Sequence, residues 1–287
     1  MIENSKINEI TRLPNFICIG AQKAGTSWLD AMLREHPDVW LPPKKELHYF
    51  DCKYFLEHKK WDIPAKNRVL TEKIKSELIK RKVNFSYIKY LASIAEDTSY
   101  SEDWYRKCFR NEDAQKSQVI GDITPEYSMI PREGTEYMKG LLPNLKIIYI
   151  IRDPVDRAWS QVKMRVSRRN LMPEEIVWEK MFTNKDIVSR GNYKSYIPKW
   201  KSVFDSNDLL FIPFGEIKSN PRGIIREVEE FLSLRPFEYE NYQKVVHENK
   251  VVLKKPEEYM HILEGAMAEQ YTFLKQCFDE KFLTKIN

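Results

Sequence analysis

The chain has no run of roughly eighteen apolar residues, and its opening stretch MIENSKINEITRLPN lacks the charged-then-apolar pattern of a secretory signal. The expectation is a cytoplasmic protein with no membrane insertion. Cysteine is scarce. The four present, Cys18, Cys52, Cys108 and Cys277, are widely spaced and form no CxxC pair, which argues against a disulfide framework or a zinc ribbon and for reduced thiols. An excess of one charge sign is also missing: 47 Lys and Arg stand against 42 Asp and Glu, leaving only +5. A protein that coats nucleic acid would be more lopsided, so no nucleic-acid partner is expected, while a local basic cleft for an anionic ligand remains compatible. Repeats and low-complexity tracts are absent, and the 9 glycines fall mostly where loops are needed.

What is present is enough apolar material, 42% of 287 residues, to bury one sizeable core. Asn15–Gly20 (NFICIG) is a short apolar run closed by glycine. It is followed from Ser27 to Glu35 by Trp28, Leu29, Met32 and Leu33 at helical spacing, so it reads as strand, tight loop and helix. Lys146–Ile151 (KIIYII) has the continuous apolar character of a strand buried on both faces, and Asp153-Pro154 opens a helix reaching about Arg169. A third unit runs from Asp208–Phe214 through Asn220-Pro221 to Leu232, and Pro256–Phe278 reads as a long amphipathic helix. The pattern gives an α/β fold of three layers, a central mostly parallel sheet flanked by helices. Residues 1–287 read as a single domain, with a Lys- and Glu-rich helical insertion at about 61–110.

The first strand-to-helix loop is Gly20-Ala21-Gln22-Lys23-Ala24-Gly25-Thr26-Ser27. Backbone amides at such a loop, together with a helix N-terminus, cradle phosphate. The loop keeps both glycines and the final hydroxyl of a nucleotide-binding G-x-x-x-x-G-K-[ST] loop but has Thr26 where that pattern has lysine, and carries Lys23 inside instead. An NTP hydrolase needs its lysine on the β/γ-phosphates, so the displaced lysine disfavours a small-molecule P-loop kinase. A strand-to-helix turn with no ligand is the plain alternative for the loop taken alone.

Two further segments carry chemistry. Arg152 ends a strand and Ser160 lies one to two turns into the next helix, so both could meet one anion; Arg152-Asp153-Pro154 could equally be a capped helix start with a local ion pair. In Lys44-Lys45-Glu46-Leu47-His48-Tyr49-Phe50-Asp51, Glu46 and His48 stand two residues apart, which in an extended segment points them to the same side. A carboxylate or imidazole so placed suits a general base, and a solvated charged edge is the alternative.

Together these segments resemble the PAPS-dependent sulfotransferases, in particular the heparan-sulfate-type and bacterial branch. The loop is similar to that family's G-x-x-K-x-G-T-[ST], Arg152 to Ser160 to R-D-P-x-x-R-x-x-S, and residues 45–51 to K-E-x-H-[FY]-F-D. Arg190-Gly191-Asn192-Tyr193, Trp200, Glu216 and Phe231-Leu232 extend the likeness over nearly the whole chain. The resemblance implies sulfuryl transfer from 3′-phosphoadenosine 5′-phosphosulfate (PAPS), without a metal, to an acceptor hydroxyl or amine, the acceptor being a saccharide or small natural product. It implies that Lys23, Ala24, Gly25, Thr26, Ser27 and Trp28 hold the phosphosulfate, and that Arg152, Ser160 and Tyr193 hold the rest of the nucleotide. Lys250 and Lys254, in the basic stretch 247–255, would close over it. Glu46 becomes the base, His48 its helper and Lys23 the cation at the leaving phosphate. Asp122-Ile123-Thr124-Pro125 matches the family's E-K-T-P segment except that isoleucine replaces lysine, which leaves Lys23 as the main cation. Trp104, Tyr105, Tyr127 and Trp159 are candidates for core or acceptor site. A non-catalytic nucleotide-binding module is the reading from another class; intact Lys23 and Glu46 argue against it.

Overall fold

The computed structural model describes residues 11–240, 242 and 253–287, so Lys250 and most of the 247–255 stretch lie outside the described residues. Five parallel strands form one sheet in the order β2-β3-β1-β4-β5: β1 Phe16–Gly20, β2 Val39–Trp40, β3 Val119–Ile123, β4 Lys146–Ile151 and β5 Leu209–Pro213. β1 lies between β3 and β4, with Ile17 beside Asp122 on one side and Ile147 on the other. Its five residues are fully buried, as expected of a central parallel strand covered on both faces.

Three of these strands follow the apolar runs. β2 is only two residues long, and β3 breaks its apolar character with Gly121 and Asp122. Packing explains the glycine, because a Cβ at Gly121 would meet the Phe16 ring at 2.1 Å. Three hydroxyls explain the acid: Thr124, Tyr127 and Tyr105 donate to the buried Asp122 carboxylate at 2.7, 2.9 and 3.3 Å.

Helix α1, Thr26–Glu35, leaves β1 through the phosphate-type loop, and its apolar face (Trp28, Leu29, Met32, Leu33) packs on the sheet. Tyr49–Tyr54 (α2) leads into the 23-residue α3, Leu56–Leu78, which pairs with α4, Phe85–Glu96, as a helical hairpin. Pro154–Arg169 (α5) follows β4, begins with proline at its first position and is capped by Asp153, whose side chain accepts from the Asp156 amide. Tyr193–Lys201 (α6) and the long Glu257–Cys277 (α7) pack beside one another. Trp104, Tyr105, Tyr127 and Trp159 are all core residues at no more than 5% exposure. All four cysteines are unpaired, and Cys18, Cys52 and Cys108 are buried.

Candidate active site

The site forms where the C-terminal ends of β1, β3 and β4 meet the segment before α2. Gly25 caps α1 in a left-handed conformation (φ 90°), and a Cβ there would meet Ile217 at 2.8 Å, so glycine is required by both backbone and space. No side chain caps α1 and no acidic residue lies in its first turn, which leaves its leading amides available to an anion. Lys23 is half-buried with φ 69°. Burial, and then the neighbouring guanidinium groups of Arg168 and Arg152, push its ammonium below the usual lysine range. An anion would relieve that repulsion.

Arg152 is fixed from three sides. Its Nη1 donates to the Lys23 carbonyl at 2.7 Å and its guanidinium lies 4.2 Å above the Phe214 ring. The Tyr193 hydroxyl donates to the Arg152 carbonyl at 2.9 Å and accepts from its amide at 3.2 Å. The buried Nε has no partner in the protein, as expected of a group awaiting an anion. Fully buried Tyr193 thus commits its hydroxyl to the Arg152 backbone. Trp28 likewise turns inward, its Nε1 donating to the Tyr242 carbonyl at 2.9 Å. Ala24 is buried beneath the loop, Ser27 and Ser160 are half-buried, and the Ser160 hydroxyl has no hydrogen bond among the described residues. Lys254 is exposed, and its neighbour Lys255 pairs with Asp156 at the start of α5.

Glu46 and His48 do converge, but not as neighbours in an extended segment. Both have left-handed backbones, φ 64° and 56°, which corrects the geometry expected from spacing alone. Side chains and backbone after β3 hold this turn. The Glu46 amide donates to the Ile123 carbonyl (3.2 Å), the Leu47 amide to Thr124 Oγ1 (3.0 Å) and the Tyr49 amide to the Tyr127 hydroxyl (3.1 Å). Thr124 and Tyr127 are themselves tied to Asp122, so the acid inside β3 anchors the segment. Burial raises the Asp122 carboxyl to about 6 even though three hydroxyls oppose the shift.

The resulting turn carries an ordered charge chain. Lys45 Nζ lies 2.6 Å from Glu46 Oε1 and 3.5 Å from Thr26 Oγ1 of the loop. His48 Nε2 faces Glu46 Oε2 at 3.7 Å, while its Nδ1 meets Asp51 Oδ2 at 3.0 Å; His58 Nδ1 reaches the same oxygen at 2.6 Å. Burial alone would raise the Glu46 carboxyl, but Lys45 and His48 outweigh it and hold it well below the usual range. Burial alone would lower the His48 imidazole, but Asp51 and Glu46 raise it to about 10. Asp51, opposed by burial in the same way, is held at about 2 by the two histidines. Glu46 is therefore ionised and His48 protonated at neutral pH.

Two further residues of the site, Glu126 and Trp61, carry no motif signal of their own. Glu126, 3% exposed, accepts from Gln22 Nε2 at 2.8 Å and lies 3.5 Å from Arg190 Nη1, which also donates to Gln22 Oε1 at 2.6 Å. Ile123 is buried in the core, and Lys45 is a cation beside the loop, 3.5 Å from Thr26 Oγ1. Trp61 stacks edge-on against His48 at 4.7 Å. Glu46, His48 and Glu126 could bring three ligand atoms within 4.8 Å of one another, but Lys45 and Arg190 already offset the two carboxylates and His48 is protonated, so the set does not fit a cation.

These residues open on a cleft of about 990 Å³, between α3 and α5. Every acid lining it is paired to a cation that also lines it: Asp30 to Arg34, Asp62 to Lys44, Glu46 to Lys45, Glu126 to Arg190 and Asp186 to Arg165. Arg68 and Lys73 on one wall and Arg168 and Arg169 on the other have no ion pair among the described residues. The cleft thus presents uncompensated positive charge on both sides of the Glu46–His48 pair.

Comparison with known proteins agrees with this arrangement. A family model described as "Sulfotransferase family" matches residues 14–239. The chain is 27% identical over 231 residues to heparan sulfate glucosamine 3-O-sulfotransferase 3B1 of Mus musculus, covering 78% of this chain and 47% of that protein. It therefore spans about half the length of the curated relatives it matches. Among solved structures it is similar in fold to a sulfotransferase from Alicyclobacillus acidocaldarius, with a TM-score of 0.60 at 21% identity over 92% of this chain and 96% of that one. A sulfotransferase domain from the curacin biosynthetic pathway is similar at a TM-score of 0.50 and 18% identity, over 79% of this chain and 76% of that one.

Proposed function

This chain belongs to the sulfotransferase family, and from that premise we propose that it moves the sulfuryl group of PAPS to a hydroxyl or amine of an acidic saccharide. The observation that carries the reading is the position of Lys45, which bridges Glu46 and the loop hydroxyl of Thr26. Base and phosphate loop therefore meet at one cation.

In this reading the amides of Gly25, Thr26 and Ser27 and the ammonium of Lys23 hold the phosphosulfate, and Arg152 and Ser160 hold the 3′-phosphate. Glu46, ionised and open to the cleft with 37% of its side chain exposed, removes the acceptor proton as the acceptor's bond to sulfur forms. The bond between sulfur and the bridging phosphate oxygen breaks in the same in-line step, and Lys23 and Lys45 stabilise the charge that grows on that oxygen. Protonated His48, oriented by Asp51, fixes the Glu46 carboxylate. The step requires no metal.

The acceptor class rests on Arg68, Lys73, Arg168 and Arg169, whose charge the cleft leaves unmatched. The mouse relative is named for a heparan sulfate glucosamine, and an acidic sugar is the class that suits these four cations. The four unpaired cysteines favour the cytoplasm as the setting.

The test is transfer of labelled sulfate from PAPS onto an array of acidic and neutral glycans. Glu46→Gln is expected to lower kcat by about 10²–10⁴-fold while leaving binding of the product nucleotide 3′-phosphoadenosine 5′-phosphate unchanged. Undiminished turnover by that variant would remove Glu46 from the mechanism.

A further inference from the structure

The α3–α4 hairpin carries a feature that the transfer chemistry does not use. Of the seven large hydrophobic side chains exposed in the described residues, three sit within eight positions at its tip: Leu78 (53% exposed), Ile79 (86%) and Phe85 (74%). Leu78 ends α3, Ile79 follows it and Phe85 opens α4, so the three bracket one turn. Between them lie Lys80, Arg81 and Lys82, all exposed, and the stretch 78–86 contains no acidic residue. Lys80 pairs with Glu77 at the end of α3, whereas Arg81 and Lys82 have no ion pair or hydrogen bond among the described residues.

A soluble surface that places large apolar side chains at such exposure needs a covering partner. The alternation of protruding apolar groups with unpaired cations selects its chemistry. Apolar side chains reach the acyl boundary while Lys and Arg remain at anionic headgroups, the arrangement by which peripheral proteins hold a bilayer surface. We propose that the tip of the α3–α4 hairpin docks this protein on an anionic lipid surface. No helix among the described residues is long and apolar enough to cross a membrane, so the contact is one of surface only.

The hairpin gives the docking a direction. Trp61, Asp62, Arg68 and Lys73 of α3 line the cleft. Leu78 lies five residues beyond Lys73, about 8 Å along the helix axis at about 1.5 Å per residue. A bilayer held at the tip therefore lies close to the Lys73 end of the cleft, and an acceptor presented at that surface would be near it. The docking itself is independent of the sulfuryl-transfer reading and is tested without turnover.

The experiment is flotation of the full chain with vesicles of phosphatidylcholine alone and of phosphatidylcholine mixed with phosphatidylglycerol. Binding is expected to the mixed vesicles, weakening with salt, and not to neutral ones. Arg81→Glu with Lys82→Glu should reduce it at least about 25-fold, at roughly fivefold per surface cation. Ile79→Glu with Phe85→Glu should reduce it about tenfold or more for each apolar group withdrawn. Both variants change exposed side chains outside the cleft, and an unchanged melting temperature verifies their fold. Absence of binding to mixed vesicles, or binding that neither variant weakens, overturns the proposal. So does a concentration-dependent dimer in sedimentation velocity that Ile79→Glu with Phe85→Glu abolishes, since a second copy would then be the partner.

Discussion

Replacing Asp51 with Asn removes the one charge that holds both buried histidines behind Glu46. Asp51 is fully buried, accepts from His48 and His58 through Oδ2, and leaves Oδ1 without a partner. Deleting one member of a buried, hydrogen-bonded charge pair costs about 3–5 kcal/mol, because the surviving charge is left unmatched. Unfolding a chain of 287 residues carries an entropy on the order of 0.6 kcal/mol per kelvin, so the melting temperature should fall by about 5–8 °C. The pH dependence has a defined sign. His48 is raised from 6.5 to about 10, so its contribution is complete below about pH 6.5 and is lost as pH rises through about 10. Asp51 is lowered from 3.8 to about 2, so its contribution is present above about pH 4 and is lost as pH falls through about 2. The gap between wild type and Asp51→Asn should therefore be widest from about pH 4 to 6.5 and close toward pH 10. Circular dichroism melts across that range measure it, and NMR titration of His48 provides the independent reading. In the variant burial dominates and His48 becomes neutral well below pH 10. Equal melting temperatures at pH 6, or a wild-type His48 that titrates near 6.5, would refute the electrostatic account.

Other perturbations separate the parts of the site. Arg168→Ala with Arg169→Ala, and separately Arg68→Ala with Lys73→Ala, should raise KM for an acidic glycan and flatten its salt dependence; an unchanged salt slope would show that these cations do not meet the acceptor. Gly25→Ala places a Cβ 2.8 Å from Ile217 on a left-handed backbone, so weaker nucleotide binding and a loss of roughly 1–3 kcal/mol of stability are expected in titration and denaturant melts. Wild-type behaviour of that variant would show that the loop has room to adjust.

The parts of the fold that could be read from sequence are those where one physical demand dominates. β1 and β4, inside the sheet, are buried on both faces and show as continuous apolar runs, while the edge strand β5 shows as an apolar run whose first three residues are half-buried. Pro154 and Pro221 mark helix starts because the first helical position needs no N–H. β3 could not be read that way, since Gly121 answers to the Phe16 ring across the strand pair and Asp122 to three hydroxyls from separate segments. The same holds in the site. The loop residues and Glu46 lie in contiguous motifs that resemble those of a known family. Glu126 and Trp61 reach the cleft from stretches outside those motifs, and only the folded chain brings them beside Glu46 and His48. Tyr193 is the instructive intermediate case: its motif marks it as part of the nucleotide site, but its hydroxyl is committed to the Arg152 backbone.

The central claim is that this loop holds a 3′-phosphorylated adenosine nucleotide without metal. Calorimetric titration with 3′-phosphoadenosine 5′-phosphate, compared with ATP in the presence and absence of Mg²⁺, tests it most directly in the wild type and in Arg152→Ala. Tight, metal-independent binding of the bisphosphate, weakened in the variant that removes the Arg152 guanidinium and its unpartnered Nε, is the predicted result. Preference for Mg·ATP, or indifference to the 3′-phosphate, would contradict the account.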